Sequence, residues 1–165
     1  MGTIAALQRA VNRLDLKSEI KYIINEDVQM LADYNREQLY SGRFSDGELI
    51  TPNYLTDPFF KGNRFRSYQY AKWKQEITPN SQRPFWTPNL FINGFYHSSI
   101  DAKVDENEIH FFSMAGSLNN EITSKYDSND LFGLTPMHKA IYTREFFWPK
   151  FKKEIELITG LKFKR

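Results

Sequence analysis

At 165 residues, with 41% hydrophobic and 25% charged side chains, the chain is sized for one domain, 1–165, built on a single core. A formal net charge of +2 is too small to imply nucleic-acid or membrane binding by itself, and the absence of cysteine excludes disulfide frameworks, thiolate metal sites and cysteine nucleophiles. There is no apolar run of about eighteen residues and no signal-peptide h-region, so a soluble protein made in the cytoplasm of its producing cell is expected.

Ile4, Leu7, Val11 and Leu14 recur at helical spacing and predict a short amphipathic helix from about Thr3 to Arg13. Asp15-Leu16-Lys17 breaks it, and Asp15 or Ser18 is available as the next N-cap. Ile20, Ile24, Val28 and Leu31, joined by Ile23 and Leu39, form the apolar stripe of a long helix from Ser18 to Leu39. Ser41-Gly42 stops that helix, and Ser45-Asp46-Gly47 follows as a turn. Glycine accepts the positive φ of a helix C-cap or tight turn, and aspartate closes the turn through its side chain. The segment Arg43–Glu48 therefore reads as a hairpin that hands the chain from helix to sheet.

Three copies of Thr-Pro-Asn, beginning at Thr51, Thr78 and Thr87, mark element boundaries, because proline removes a donor and turns the preceding residue away from helix. Their unequal spacing makes them punctuation, with no structural repeat. Between them lies an extended aromatic and basic excursion, about 54–89, which includes a short helix from Ser67 to Glu76 with Tyr70, Trp73 and Ile77 on one side. Its density of Phe and Tyr argues against disorder. Leu90–Tyr96 is an apolar run kinked at Asn93-Gly94. Residues Ser98–Asp105 and Glu108–Met114 alternate and predict a β-hairpin in which Ile109 and Phe111 face Ile100, Ala102 and Val104. Ser117–Tyr126 reads as a short polar helix, and Leu131–Thr135 as a compact apolar turn before Pro136. Phe147, Phe151, Ile155 and Ile158 give a C-terminal helix with Pro149 in its first turn and Gly160 as its C-cap.

Charge is segregated along the chain. Lys61, Arg64, Arg66, Lys72, Lys74 and Arg83 stand against Glu76 alone. Asp101, Asp105, Glu106, Glu108, Glu121, Asp127 and Asp130 then stand against Lys103 and Lys125. Opposite patches on one small chain suit head-to-tail self-association, and the alternative is that both are ordinary solvated faces. The aromatic content, 14 Phe, 9 Tyr and 3 Trp, gives the chain ring surface of the kind that interfaces use.

The sequence contains no Walker loop, no Gly-x-Gly-x-x-Gly and no Gly-x-Ser-x-Gly elbow. His97, His110 and His138 are too dispersed for a metal-ligand spacing and read as structural or surface groups. Asp101-Ala102-Lys103 has the acid-x-Lys form of a metal-dependent nuclease strand. Such a site needs a second acid, for which Glu108 or Glu121 is available. Arg64, Phe65, Arg66, Tyr68, Tyr70, Lys72, Trp73 and Lys74 combine phosphate-binding charge with stacking rings, as single-strand binders do, or pack as an ordinary loop. No cofactor is expected.

The order of features resembles the tailed-bacteriophage virion-morphogenesis proteins, the tail-completion and head-tail connector family. What carries the resemblance is a helix ending in Gln38-Leu39-Tyr40-Ser41-Gly42, the turn Asp46-Gly47, and the segment Thr51-Pro52-Asn53-Tyr54. The run Leu90-Phe91-Ile92-Asn93-Gly94-Phe95-Tyr96-His97-Ser98 is similar to the family's central segment, with Asn93 in place of its usual Thr or Ser. The late turn Phe132-Gly133-Leu134 before a C-terminal helix also matches in position, whereas Phe59–Arg83 keeps little of the family's basic pattern.

The resemblance implies an α+β fold with a long N-terminal helix, a small mostly antiparallel sheet and a C-terminal helix. It implies a non-enzymatic, ring-forming structural subunit in the neck or tail of a virion. Its expected partners are further copies of itself, other neck, portal or tail proteins, and genomic DNA passing through the lumen, with no membrane. Interface candidates are then Arg43, Phe44, Asp46, Glu48, Phe59, Phe60, Trp73 and Trp86, and candidates to face DNA are Lys61, Arg64, Arg66, Lys72 and Lys74. The other reading is a small nucleic-acid-binding or processing domain that uses segment 61–83.

Overall fold

The computed structural model describes residues 15–106, 108–160 and 162. The helix expected from about Thr3 to Arg13 lies outside the described residues. The fold is α+β, as expected, and it is mostly helical, with one antiparallel strand pair as the sheet among the described residues.

Helix α1 runs Leu16–Glu26 and α2 runs Val28–Tyr40. Asp15 caps α1, its carboxylate accepting from the Ser18 amide at 3.3 Å and from the Ser18 hydroxyl at 2.6 Å. The long stripe from Ser18 to Leu39 is thus divided at Asp27, whose amide turns back to the Ile24 carbonyl at 3.0 Å. The cause is tertiary. Asp27 is buried, and its carboxylate accepts from Lys150 at 2.5 Å and from the Tyr142 hydroxyl at 3.3 Å. A polar group placed there must meet those partners or lose its hydration without compensation.

Past Gly42 (φ +73°), Arg43 pairs with Leu49 as a single bridge. The Phe44 amide donates to the Glu48 carbonyl at 2.8 Å, and Asp46 accepts from the Glu48 amide at 2.8 Å, which closes the expected reversal. The excursion is folded. A 3₁₀ turn at Pro58–Phe60 is capped by Asp57, and helix α3, Arg64–Ile77, is capped by Asn63. A short helix α4, Phe95–Ser98, follows the kink at Gly94. Strands β1 (Ile100–Val104) and β2 (Ile109–Ser113) pair in the expected register, Ala102 opposite Phe111 and Val104 opposite Ile109.

Helix α5, Ser117–Lys125, and the single turn α6, Ser128–Leu131, lead to α7, Pro136–Ile141. A π-helical segment, Tyr142–Phe147, joins α7 to α8, Trp148–Thr159, so one helical path continues from Pro136 to Gly160. Pro149 explains the π segment. It has no amide to offer Glu145 and its ring crowds that carbonyl, so the ladder slips and the Trp148 amide donates to Thr143 instead. No helix among the described residues is long and apolar enough to cross a membrane.

The core has three parts. Leu39, Phe44, Ile50, Tyr96, Ile100, Tyr126 and Leu131 pack where α2 meets β1 and α5. Leu31, Leu134 and Tyr142 join α2 to the C-terminal helical path. Tyr54, Phe60 and Ala71 form a separate aromatic nucleus inside the excursion. Polar side chains of α2 tie the parts together. Asn35 donates to the carbonyls of Leu131 (3.0 Å) and Gly133 (2.8 Å), and Gln38 accepts from the Thr135 amide at 3.0 Å. Arg36 donates to the His97 carbonyl at 3.1 Å and to that of Ile100.

Candidate functional site

Helix α3 separates two chemistries by its own period. At roughly 100° per residue, Ser67, Ala71, Lys74 and Thr78 fall on one side, and all four are buried. Phe65, Tyr68, Lys72 and Trp73 fall on the other and are exposed, Phe65 at 67% and Trp73 at 39%. Tyr70 lies between, packed edge-on against Tyr54 at 5.1 Å and tilted against Trp73 at 5.3 Å. Phe59, 67% exposed, extends the outer surface from the preceding turn. The result is a face of large rings among the cations Lys61, Arg64, Arg66 and Lys72, all of them exposed. None of these four makes an ion pair among the described residues.

Three of the expected surface residues are elsewhere. Phe44 is core: its ring packs at 6.2 Å from Tyr126 and it sits with Leu39 and Ile50. Phe60 is core as well, 4% exposed and 5.4 Å from the Tyr70 ring. Both are claimed by the chain's own apolar clusters, so neither ring is available to a partner. Lys74 is 2% exposed, and its ammonium donates to the Phe91 carbonyl. It cannot face DNA, because α3 turns that position inward.

Trp86 is half-buried against Phe85 at 4.8 Å and Tyr68 at 6.2 Å. Arg43, Asp46 and Glu48 are exposed as expected. Their turn is nevertheless fastened to the body, since the Ser45 amide donates to Asp130 at 2.7 Å and the Ser45 hydroxyl to Asn129 at 3.0 Å.

The excursion is held by a buried cation. Arg83, 5% exposed, donates to the carbonyls of Phe85 and Thr87 at 2.9 Å each and lies 5.8 Å over the Tyr54 ring. Burial, reinforced by Arg83, pulls the Lys74 ammonium down to about 7. Burial also pulls His97 down to about 4, with Lys74 and Arg36 adding to the effect. His138 is buried and stacks on Tyr34 at 4.7 Å, whereas His110 is exposed on β2 opposite Lys103. Asp101 bonds its own neighbour's amide, that of Ala102, at 2.8 Å, and Lys103 lies 4.0 Å from Asp105. Among the described residues no group of three His, Asp or Glu side chains is placed to hold a metal ion.

Asn35, Arg36 and Gln38 were not among the candidates read from the sequence, yet Asn35 and Gln38 fasten α2 to the 131–135 turn and Arg36 fastens it to α4 and the start of β1. Arg83, read only as part of a basic segment, holds the excursion's own loop. For two of the four a signal existed. Asn35 and Gln38 follow Leu31 by four and seven positions, on the apolar stripe, where a polar side chain must find buried partners. No family model matches the chain, and no curated protein or solved structure matches it.

Proposed function

We propose that the chain is a structural subunit of a tailed-phage virion, one copy of a ring in the neck or tail. The observation that carries this reading is the outer face of α3 and the turn before it, where Phe59, Phe65, Tyr68 and Trp73 stand exposed beside unpaired cations. Exposed rings of this size, grouped on one element, lose their contact with water when another protein covers them. The hairpin tip, with Asp105, Glu106 and Glu108, supplies an acidic surface of opposite sign. A basic aromatic face meeting an acidic tip is a heterologous contact, and such contacts form a ring where the rotation between neighbours closes. Neighbours in the virion would be portal, neck or tail proteins, with genomic DNA in the lumen.

The second reading, a nucleic-acid-binding domain, rests on the same exposed cations and on Phe65 and Tyr68 as stacking platforms. Proteomics of purified particles separates the two. A ring subunit remains with the particles at high salt in fixed proportion to the other tail proteins. A nucleic-acid binder is absent from them, and its affinity for DNA falls steeply with salt.

A further inference from the structure

Beneath the excursion lies a cleft of about 860 Å³, walled by α5 on one side and by the aromatic nucleus on the other. That is within the usual range of small-molecule sites, roughly 300 to 1,000 Å³. Phe59, Ile92 and Phe95 frame it and are all more than half exposed, so the opening is apolar and meets water. Its inner walls include Tyr54, Tyr70, Tyr96 and Tyr126. The hydroxyls of Tyr54, Tyr70 and Tyr126 make no hydrogen bond among the described residues.

One charge in this cleft is out of balance. Asp57 is buried, but Lys125 donates to its carboxylate, so that pair is internally neutral. Glu121 is exposed and screened by solvent. Lys150, elsewhere in the fold, likewise has Asp27. Lys74 differs. It is 2% exposed, its ammonium has one carbonyl partner, Phe91, and the charge that acts on it is the cationic Arg83. Arg83 beside it is also buried, its Nε and one terminal nitrogen without partners and no acid in contact. A buried ammonium has three donors and a large desolvation cost, and a carboxylate or sulfonate arriving from the cleft would relieve both.

We propose that this cleft binds an amphipathic organic anion, its single charged group on Lys74 and its apolar or aromatic body between Tyr54, Tyr96 and Tyr126. The unpaired tyrosyl hydroxyls supply further donors to the anion's oxygens, and the ring faces cover its body. The site is lined by residues of one chain alone. Because the native ammonium is largely deprotonated above neutral pH, binding an anion draws it back to the protonated form. Binding therefore takes up protons and weakens as pH rises.

The test is titration of the full chain with 8-anilinonaphthalene-1-sulfonate, an aromatic body bearing one sulfonate, followed by fluorescence. Saturable binding of one molecule per chain is expected, with Lys74→Met weakening it about tenfold or more. The uncharged N-phenyl-1-naphthylamine should bind wild type and Lys74→Met equally. Affinity for the sulfonate should fall between about pH 6 and about pH 9 in wild type and stay level in Lys74→Met. Equal sulfonate affinity in the two proteins, or binding that never saturates near one per chain, would overturn the proposal. Should Lys74→Met fail to fold, Ile122→Trp fills the cleft from α5 with Lys74 intact, and sulfonate binding must then be lost. Undiminished binding to that variant overturns the site equally.

Discussion

Asp27 and Lys150 meet at 2.5 Å although 123 positions separate them, and the two ends of the described fold are pinned at that contact. The pair is unequal. Asp27 is buried, while the Lys150 side chain keeps 39% of its surface in water. Removing the lysine leaves a buried carboxylate with Tyr142 alone, whereas removing the aspartate frees an ammonium that can turn outward. Lys150→Met is therefore expected to destabilise by about 2 to 3 kcal/mol and Asp27→Asn by about 1 kcal/mol. Urea unfolding of both variants checks the order; an Asp27→Asn loss larger than that of Lys150→Met would contradict it.

Stability should climb in two pH windows. Between about 4 and 6.5 the unfolded chain protonates His97 and the native one does not, so stability falls by about 3 kcal/mol on acidification. From about 7 towards 10.5 the unfolded chain still holds the Lys74 proton that the native chain releases. Stability rises there by about 5 kcal/mol. Above about pH 10 it turns down, because Tyr54 and Tyr126, held protonated by burial, ionise first in the unfolded chain. Chemical denaturation across pH should show the alkaline rise in wild type and its disappearance in Lys74→Met.

Gly42 and Gly160 both have positive φ, 73° and 71°, but different surroundings. A Cβ on Gly42 would stand 2.8 Å from the Thr87 methyl and 2.9 Å from the Pro88 carbonyl oxygen, while a Cβ on Gly160 would meet nothing within 4 Å. Gly160→Ala is expected to cost about 1 kcal/mol from the backbone alone, and Gly42→Ala about 3 kcal/mol or more. Thermal unfolding of the two variants should separate them clearly; equal losses would mean that the excursion does not press on the end of α2.

Phe60 and Trp73 make the corresponding contrast for the proposed interface. Phe60→Ala empties part of the aromatic nucleus and should destabilise the monomer by about 3 kcal/mol or more. Trp73→Ala and Phe65→Ala remove exposed rings, so they should leave monomer unfolding within about 0.5 to 1 kcal/mol while weakening assembly. Sedimentation velocity and denaturant unfolding on the same samples measure both effects. Lost folding with intact assembly in Trp73→Ala would move that ring from the interface to the core.

Elements whose cause is local were legible in the sequence. Asp15 caps a helix, Gly42 and Gly160 end helices, and the alternation of Ile100, Ala102 and Val104 marks the hairpin strand. What escaped was set by distant partners. Nothing within α1 and α2 requires a break at Asp27; Lys150 and Tyr142 do, from the far end of the chain. The pattern groups Tyr70, Trp73 and Ile77 on one side of α3, but the inward side is set by Ser67, Ala71, Lys74 and Thr78, three of them polar, and Trp73 faces out. Phe44 and Phe60 look like interface rings in a chain rich in them, and only the clusters around Tyr126 and Tyr70 claim them for the core.

Native mass spectrometry of the full chain, at micromolar concentration and near-physiological salt, tests the ring reading most directly. A closed ring gives one discrete species at an integral multiple of the 19.5 kDa chain, with Trp73→Ala shifted towards smaller species. A single 19.5 kDa species at every concentration, unchanged by Trp73→Ala, would contradict it.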